Sequence, residues 1–139
     1  MNASDAELRT MLGEKTIAVV GLSPRPWRPS NSVSHYMRRY GYRIIPVNPG
    51  HDKIMGLKAY PSLSAIPEPV GIVDVFRRAE HTLQVAEEAV AIGARAFWLQ
   101  LGIVNDAALQ VAVEGGLLAV QDRCIKIEHA RLGRPRPGL

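Results

Sequence analysis

Four arginines stand in two short stretches of this chain. Arg25 and Arg28 lie in Pro24-Arg25-Pro26-Trp27-Arg28-Pro29, and Arg77 with Arg78 follows Val75-Phe76. Guanidinium groups make charge-assisted, two-pronged hydrogen bonds to phosphate oxygens. Other residues around the first pair suit an anion too. Gly21 lets the backbone turn tightly. Ser23 offers a hydroxyl and an N–H. Ser30 or Asn31 can cap a following helix, whose N-terminal N–H groups attract phosphate. Trp27 can lie against a flat ring or shield the site. The plainer reading of the same stretch is a proline-stiffened surface loop with solvated arginines.

The remaining reactive types do not form a catalytic set. Cys124 is the only cysteine and sits in Asp122-Arg123-Cys124. A nucleophilic thiol wants a base and a lowered pKa, and His35, His51, His81 and His129 are scattered at no recognised spacing. A buried packing role is expected for the cysteine. Zinc ligand spacing is missing as well, so no catalytic or metal residue is assigned. Glu128-His129 is expected to be a helix-end feature, Trp98 a core residue, and Asp74, inside a strand, to bond nearby backbone.

Composition narrows the setting. The chain has 139 residues, 47% of them hydrophobic and 6% aromatic, enough for one domain with an aliphatic core. A single cysteine permits no intrachain disulfide and fits a reducing compartment. No apolar run nears the ~20 residues of a membrane helix, and no signal peptide is visible at the start. The expectation is a soluble, cytoplasmic protein with no membrane partner. The net charge of +4 favours an anionic partner. Nucleic acid is set aside, because no helix-turn-helix or aromatic stacking platform is found.

The elements that must position these residues alternate between strand and helix. Ser4-Asp5-Ala6-Glu7 reads as a capping box before a helix carrying Leu8, Met11 and Leu12. Apolar runs at 16–20, 42–47, 71–76, 94–99 and 117–120 read as strands buried on both faces. Val33, Met37 and Tyr40 mark one helix; Leu83, Ala86 and Val90 a second; Asn105 caps a third through Val113; 123–132 reads as a short last helix. Residues 53–69 look irregular, and 133–139 looks like an extended tail whose arginines, with Arg131, are solvated. The expected fold is a single Rossmann-like α/β domain over 1–139. Its parallel sheet is doubly wound, with about five strands in the order 3-2-1-4-5 and helices on both faces.

In such sheets ligands sit outside the carboxyl ends of the strands, at the switch point. That rule selects the loops 21–31, 48–53, 76–78, 99–104 and 121–124, with the first and fourth expected to border the switch. The first loop is not a dinucleotide fingerprint, because Ser23 holds the place of the second glycine. The second strand also ends in Pro46-Val47-Asn48-Pro49, with no acid for a ribose. Gln100 can hydrogen-bond an amide, and Gly102 lets a chain pass close.

Taken in order, five segments resemble the small bacterial CoA-binding domain proteins. They are Ile17–Ser23 leading into the Pro/Arg loop, Pro46–Pro49, Asp74–Arg77, Trp98–Ile103, and Asp122–Cys124. These proteins are similar to the N-terminal CoA-binding domain of the succinyl-CoA synthetase α subunit and of ADP-forming acyl-CoA synthetases. The resemblance implies coenzyme A as cofactor, lying across the strand ends. Gly21, Ser23, Arg25, Arg28 and Ser30 would hold its phosphates. Asn48, Pro49 and Lys53 would contact it from the second turn. Phe76 and Arg77 would flank it, and Gln100 and Gly102 would line the thiol-bearing arm. The longer Pro/Arg loop departs from the synthetases' Gly-rich one. Synthetase activity does not carry over, since their phosphohistidine and ATP-grasp domains are not in this sequence. The reading is therefore a binder of CoA or acyl-CoA without complete catalytic machinery. An NAD(P)-dependent oxidoreductase and an accessory subunit completing a synthetase in trans are the alternatives. A homodimer or a synthetase-like protein partner stays open.

Overall fold

The computed structural model describes residues 2–138; Met1 and Leu139, the outer limits of the expected domain and tail, lie outside the described residues. Five parallel strands form the central sheet: β1 (Thr16–Val20), β2 (Arg43–Val47), β5 (Ile72–Val75), β6 (Ala96–Leu99) and β7 (Leu118–Val120). Each is a short Val/Ile/Ala/Leu run with little side-chain polarity, as burial on both faces demands. A separate antiparallel pair, β3 (Lys53–Ile54) and β4 (Leu57–Lys58), stands in the stretch expected to be irregular. Two-residue strands are too short to show a period in sequence.

Helices cover both faces. On one lie α1 (Asp5–Leu12), α2 (Pro29–Arg39) and α5 (Ile125–Arg131), packed with Ile17, Val19 and Trp98. On the other lie α3 (Thr82–Ala91) and α4 (Asp106–Glu114), packed with Ala18, Val20 and Phe97. Successive strand residues thus feed opposite layers. The capping box forms as expected, with Ser4 Oγ accepting from Glu7 N–H and the Glu7 carboxylate from Ser4 N–H. Asn105 caps α4 through Ala108 N–H at 3.1 Å.

One expectation about the sheet is corrected. The strand order is β2-β1-β5-β6-β7, which is 2-1-3-4-5 in the numbering of the five main strands, not 3-2-1-4-5. After β2 the chain returns past β1 and pairs β5 directly with it, Ile17 opposite Ile72 and Val20 opposite Val75. The switch point therefore lies between β1 and β5. The loops that border it are 21–31 and 76–78, the two that bear the arginine pairs, and not the loop after β6.

Asp74 does not bond nearby backbone as expected. It is 1% exposed in the middle of β5, in register with Val19 and Trp98, and its Oδ1 has no hydrogen-bond partner. Burial pushes its carboxyl well above the usual aspartate range. The folded chain therefore keeps a proton that the unfolded chain releases at lower pH. Its contribution to stability is complete below the unfolded-state pKa and is lost as pH rises through the higher folded value. Asp74→Asn is expected to flatten this dependence and raise the melting temperature at neutral and alkaline pH. Melting curves from pH 4 to 9 check it; parallel curves for the two proteins would contradict it.

The terminal segment is not free. Gly138 N–H donates to Gly13 carbonyl at 2.6 Å and Arg134 N–H to His129 carbonyl at 2.9 Å. Arg131, expected to be solvated, bonds Asp5 and Glu128, both at 2.8 Å, which joins the two ends of the chain. Trp98 is core, as expected, its Nε1 donating to Arg123 carbonyl at 2.8 Å.

Candidate functional site

At the switch point the loop after β1, the turn after β2 and the loop after β5 enclose a crevice of about 600 Å³. Gly21 opens it. Its φ is +86°, and an added Cβ would meet the Phe76 carbonyl oxygen at 2.4 Å, so the two loops touch backbone to backbone. Glycine is the residue that meets both demands.

The first loop is fixed by side-chain bonds. Ser23 N–H donates to Ser30 Oγ at 2.9 Å, and Asn31 Nδ2 donates to Ser23 carbonyl at 2.8 Å. These bonds correct the capping expectation. Arg28, not Ser30 or Asn31, is the N-cap of α2, Pro29 holds the first helical position, and no side chain caps the turn. Proline suits that place because its missing N–H would lack a helical partner anyway. Ser30 and Asn31 lie inside the first turn and reach back to Ser23. Asn31 Oδ1 is left buried without a partner.

Asn48 joins the second turn to the first loop. Its Nδ2 donates to Leu22 carbonyl at 3.0 Å while its Oδ1 accepts from Gly50 N–H at 2.9 Å. This turn brings His51 to the crevice. From the third loop come Phe76, Arg77 and Arg78, and from the loop after β6 comes Ile103. None of the four arginines Arg25, Arg28, Arg77 and Arg78 forms an ion pair among the described residues. Four unpaired guanidiniums and an uncapped helix start give this mouth a positive field.

Of the residues expected at the site, the crevice gathers Gly21, Ser23, Arg25, Arg28, Ser30, Asn48, Phe76 and Arg77. The others lie elsewhere. Pro49 lines an adjoining hollow of about 370 Å³ on the α3 side, with Val20, Val47, Val85 and Arg77. Arg77 borders both spaces. Lys53 is exposed in β3, paired with Lys58. Gln100 is buried, and its Oε1 accepts from Ile125 N–H at 3.1 Å, tying β6 to the start of α5. Gly102 donates its N–H to Asp122 Oδ1 at 2.8 Å. Beyond the expected set the crevice is lined by Pro24, Pro29, His51, Arg78 and Ile103. His51 and Ile103 fall inside the loops that the strand-end rule selects; nothing in their types singled them out.

A doubly wound parallel sheet with a cationic crevice at its switch point is a Rossmann-like architecture. The sequence pattern of the family described as CoA binding domain matches residues 15–130, and the chain belongs to that family. It is 49% identical over 130 residues to the uncharacterized protein YneT of Bacillus subtilis, covering 93% of this chain and 96% of that one. A solved structure, a hypothetical protein from Pyrococcus horikoshii OT3, superposes with a TM-score of 0.90 at 39% identity, over 94% of this chain and 92% of the other. Part of the chain is also similar to an ADP-forming acetate–CoA ligase of Archaeoglobus fulgidus, 33% identical over 89 residues. That stretch is 63% of this chain and only 13% of the ligase.

Proposed function

We propose that this chain binds coenzyme A or an acyl-CoA across the β1/β5 switch point. The observation that carries the reading is the convergence of Arg25, Arg28, Arg77 and Arg78 with the uncapped start of α2 around one crevice. Coenzyme A presents a pyrophosphate and a further phosphate on the ribose, joined to a base at one end and a long, weakly polar arm at the other. Arg25, Arg28 and the first turn of α2 hold the phosphates. Arg77, standing between the crevice and the adjoining hollow, spans phosphate and nucleoside. The hollow walled by Val47, Pro49 and Val85 and by the polar His81, Gln84 and Glu88 seats the base. The arm runs past Phe76 toward Ile103. The site binds and orients; the reading assigns no covalent step to its residues.

The oxidoreductase reading is disfavoured by two features of the same loops. Where a dinucleotide site needs a bare glycine for the pyrophosphate, Ser23 stands with its N–H already given to Ser30. At the end of β2, Asn48 is spent on Leu22 and Gly50, and it is no carboxylate. A crystal structure of the chain grown with CoA tests the assignment. Density is expected from the adjoining hollow, across Arg77, to the crevice mouth. Density confined to another face would reject it.

A further inference from the structure

A second cationic hollow lies at the other end of α2. It measures about 570 Å³ and is lined by Arg39, Tyr40 and Gly41 from the end of the helix and by Arg134 to Pro137 from the terminal segment. Its three arginines, Arg39, Arg134 and Arg136, are exposed and make no ion pair among the described residues. Among the described residues no acidic side chain lines it. Elsewhere this chain does match its arginines to acids, as in Arg43 with Glu68 and Arg131 with Asp5.

The arrangement is built. His129 is fully buried, and its Nε2 lies 2.9 Å from the Pro135 carbonyl, while its Nδ1 lies 3.0 Å from the Tyr36 hydroxyl. A carbonyl can only accept, so Nε2 carries the proton and Tyr36 donates to Nδ1. The Tyr42 hydroxyl, whose proton goes to the Leu12 carbonyl, lies 3.4 Å from the Pro135 carbonyl. Arg134 is held in the left-handed region at φ +54°, its N–H on the His129 carbonyl. A bulky residue in that region costs energy and marks a conformation imposed by its surroundings. The segment is thus pinned on both sides of Pro135, so that Arg134 and Arg136 meet Arg39 across one concavity. The plainer role for Arg39, answering the carbonyl end of α2, does not account for the two arginines brought from the terminal segment.

We infer that this hollow is a second anion site, for the linked phosphates of a small polyphosphate. Three forked donors lining one open concavity suit several phosphate groups on one small molecule better than a single ion. The site is separate from the crevice, because the two lie at opposite ends of an 11-residue helix, roughly 15 Å apart along its axis. It stands or falls independently of the coenzyme A reading.

Site-resolved amide NMR tests it. The labelled protein is titrated with inorganic triphosphate, with sulfate as the single-anion control and ATP as the nucleotide form. Saturable shifts are expected at Tyr40, Gly41 and Arg136, with triphosphate at least tenfold tighter than sulfate. A variant carrying Arg39→Ala, Arg134→Asn and Arg136→Ala should lose them while the rest of its amide spectrum stays that of the folded parent. Asparagine tolerates the left-handed backbone at position 134. ATP at least as tight as triphosphate would identify a nucleotide as the source, and ATP markedly weaker a free polyphosphate; both uphold the site. Shifts confined to the crevice, shifts retained in the variant, or sulfate binding as tightly as triphosphate would overturn it.

Discussion

Replacing Arg25 or Arg28 with alanine is expected to lower affinity for coenzyme A, the ligand proposed for the crevice, by about 1–3 kcal/mol for each charge-assisted bond lost, roughly five- to 150-fold. The fold is left nearly intact, because both side chains are exposed and neither carries an ion pair among the described residues. The two losses are not expected to add, since neighbouring donors on one pyrophosphate share its charge. Lysine at either position restores charge without the two-pronged geometry and recovers only part of the affinity. The remaining binding should weaken further with salt, as exposed charges are screened. Titrations of the single and double variants at two ionic strengths check this, beside melting curves. Unchanged affinity would remove the loop from the site.

The second large effect is expected at Gly21, and it strikes fold and site together. A β-branched side chain there must adopt a φ near +86° and place its Cβ 2.4 Å from the Phe76 carbonyl oxygen. That oxygen belongs to backbone, so no rotamer change relieves the overlap. The Gly21 N–H is already bonded to Val47 carbonyl and Phe76 N–H to Val20 carbonyl, both at 2.9 Å, so the strands cannot part without losing these bonds. Gly21→Val is expected to cost about 3 kcal/mol or more, lowering the melting temperature by roughly 10 °C. CoA affinity should fall with it even where the variant remains folded, because the loops of the first and second arginine pairs are forced apart. A variant that melts within roughly 2 °C of the parent and binds equally would show that this contact does not shape the crevice.

The main strands were legible because uninterrupted runs such as Ile17–Val20 and Ile72–Val75 suit burial on two faces. The helix before them was legible from its capping box. Strand order was not, because helix–strand alternation is the same whether the chain turns back after the second strand or the third. The arginine loops were found from residue type, and the strand-end rule placed them at one end of the sheet. Which loops flank the switch depends on the strand order. Gln100 has a structural partner that residue type does not announce: its Oε1 accepts from Ile125 N–H, which the fold alone brings near. Ser30 and Asn31 fit the local preference for helix caps, yet Pro29 starts the helix and their side chains serve Ser23 instead. The 133–139 segment reads as a solvated tail by composition. Its anchors, Gly13 and His129, lie elsewhere in the fold, and no local pattern announces them.

The central claim is that the positive crevice between β1 and β5 takes coenzyme A, and calorimetric titration of ligand-stripped protein tests it most directly. Coenzyme A is titrated beside NADP and ATP. Saturable binding of CoA at micromolar concentration or below, with both controls much weaker, is the predicted result. NADP binding in place of CoA would transfer the site to the dinucleotides, and no binding of any of the three would contradict the account.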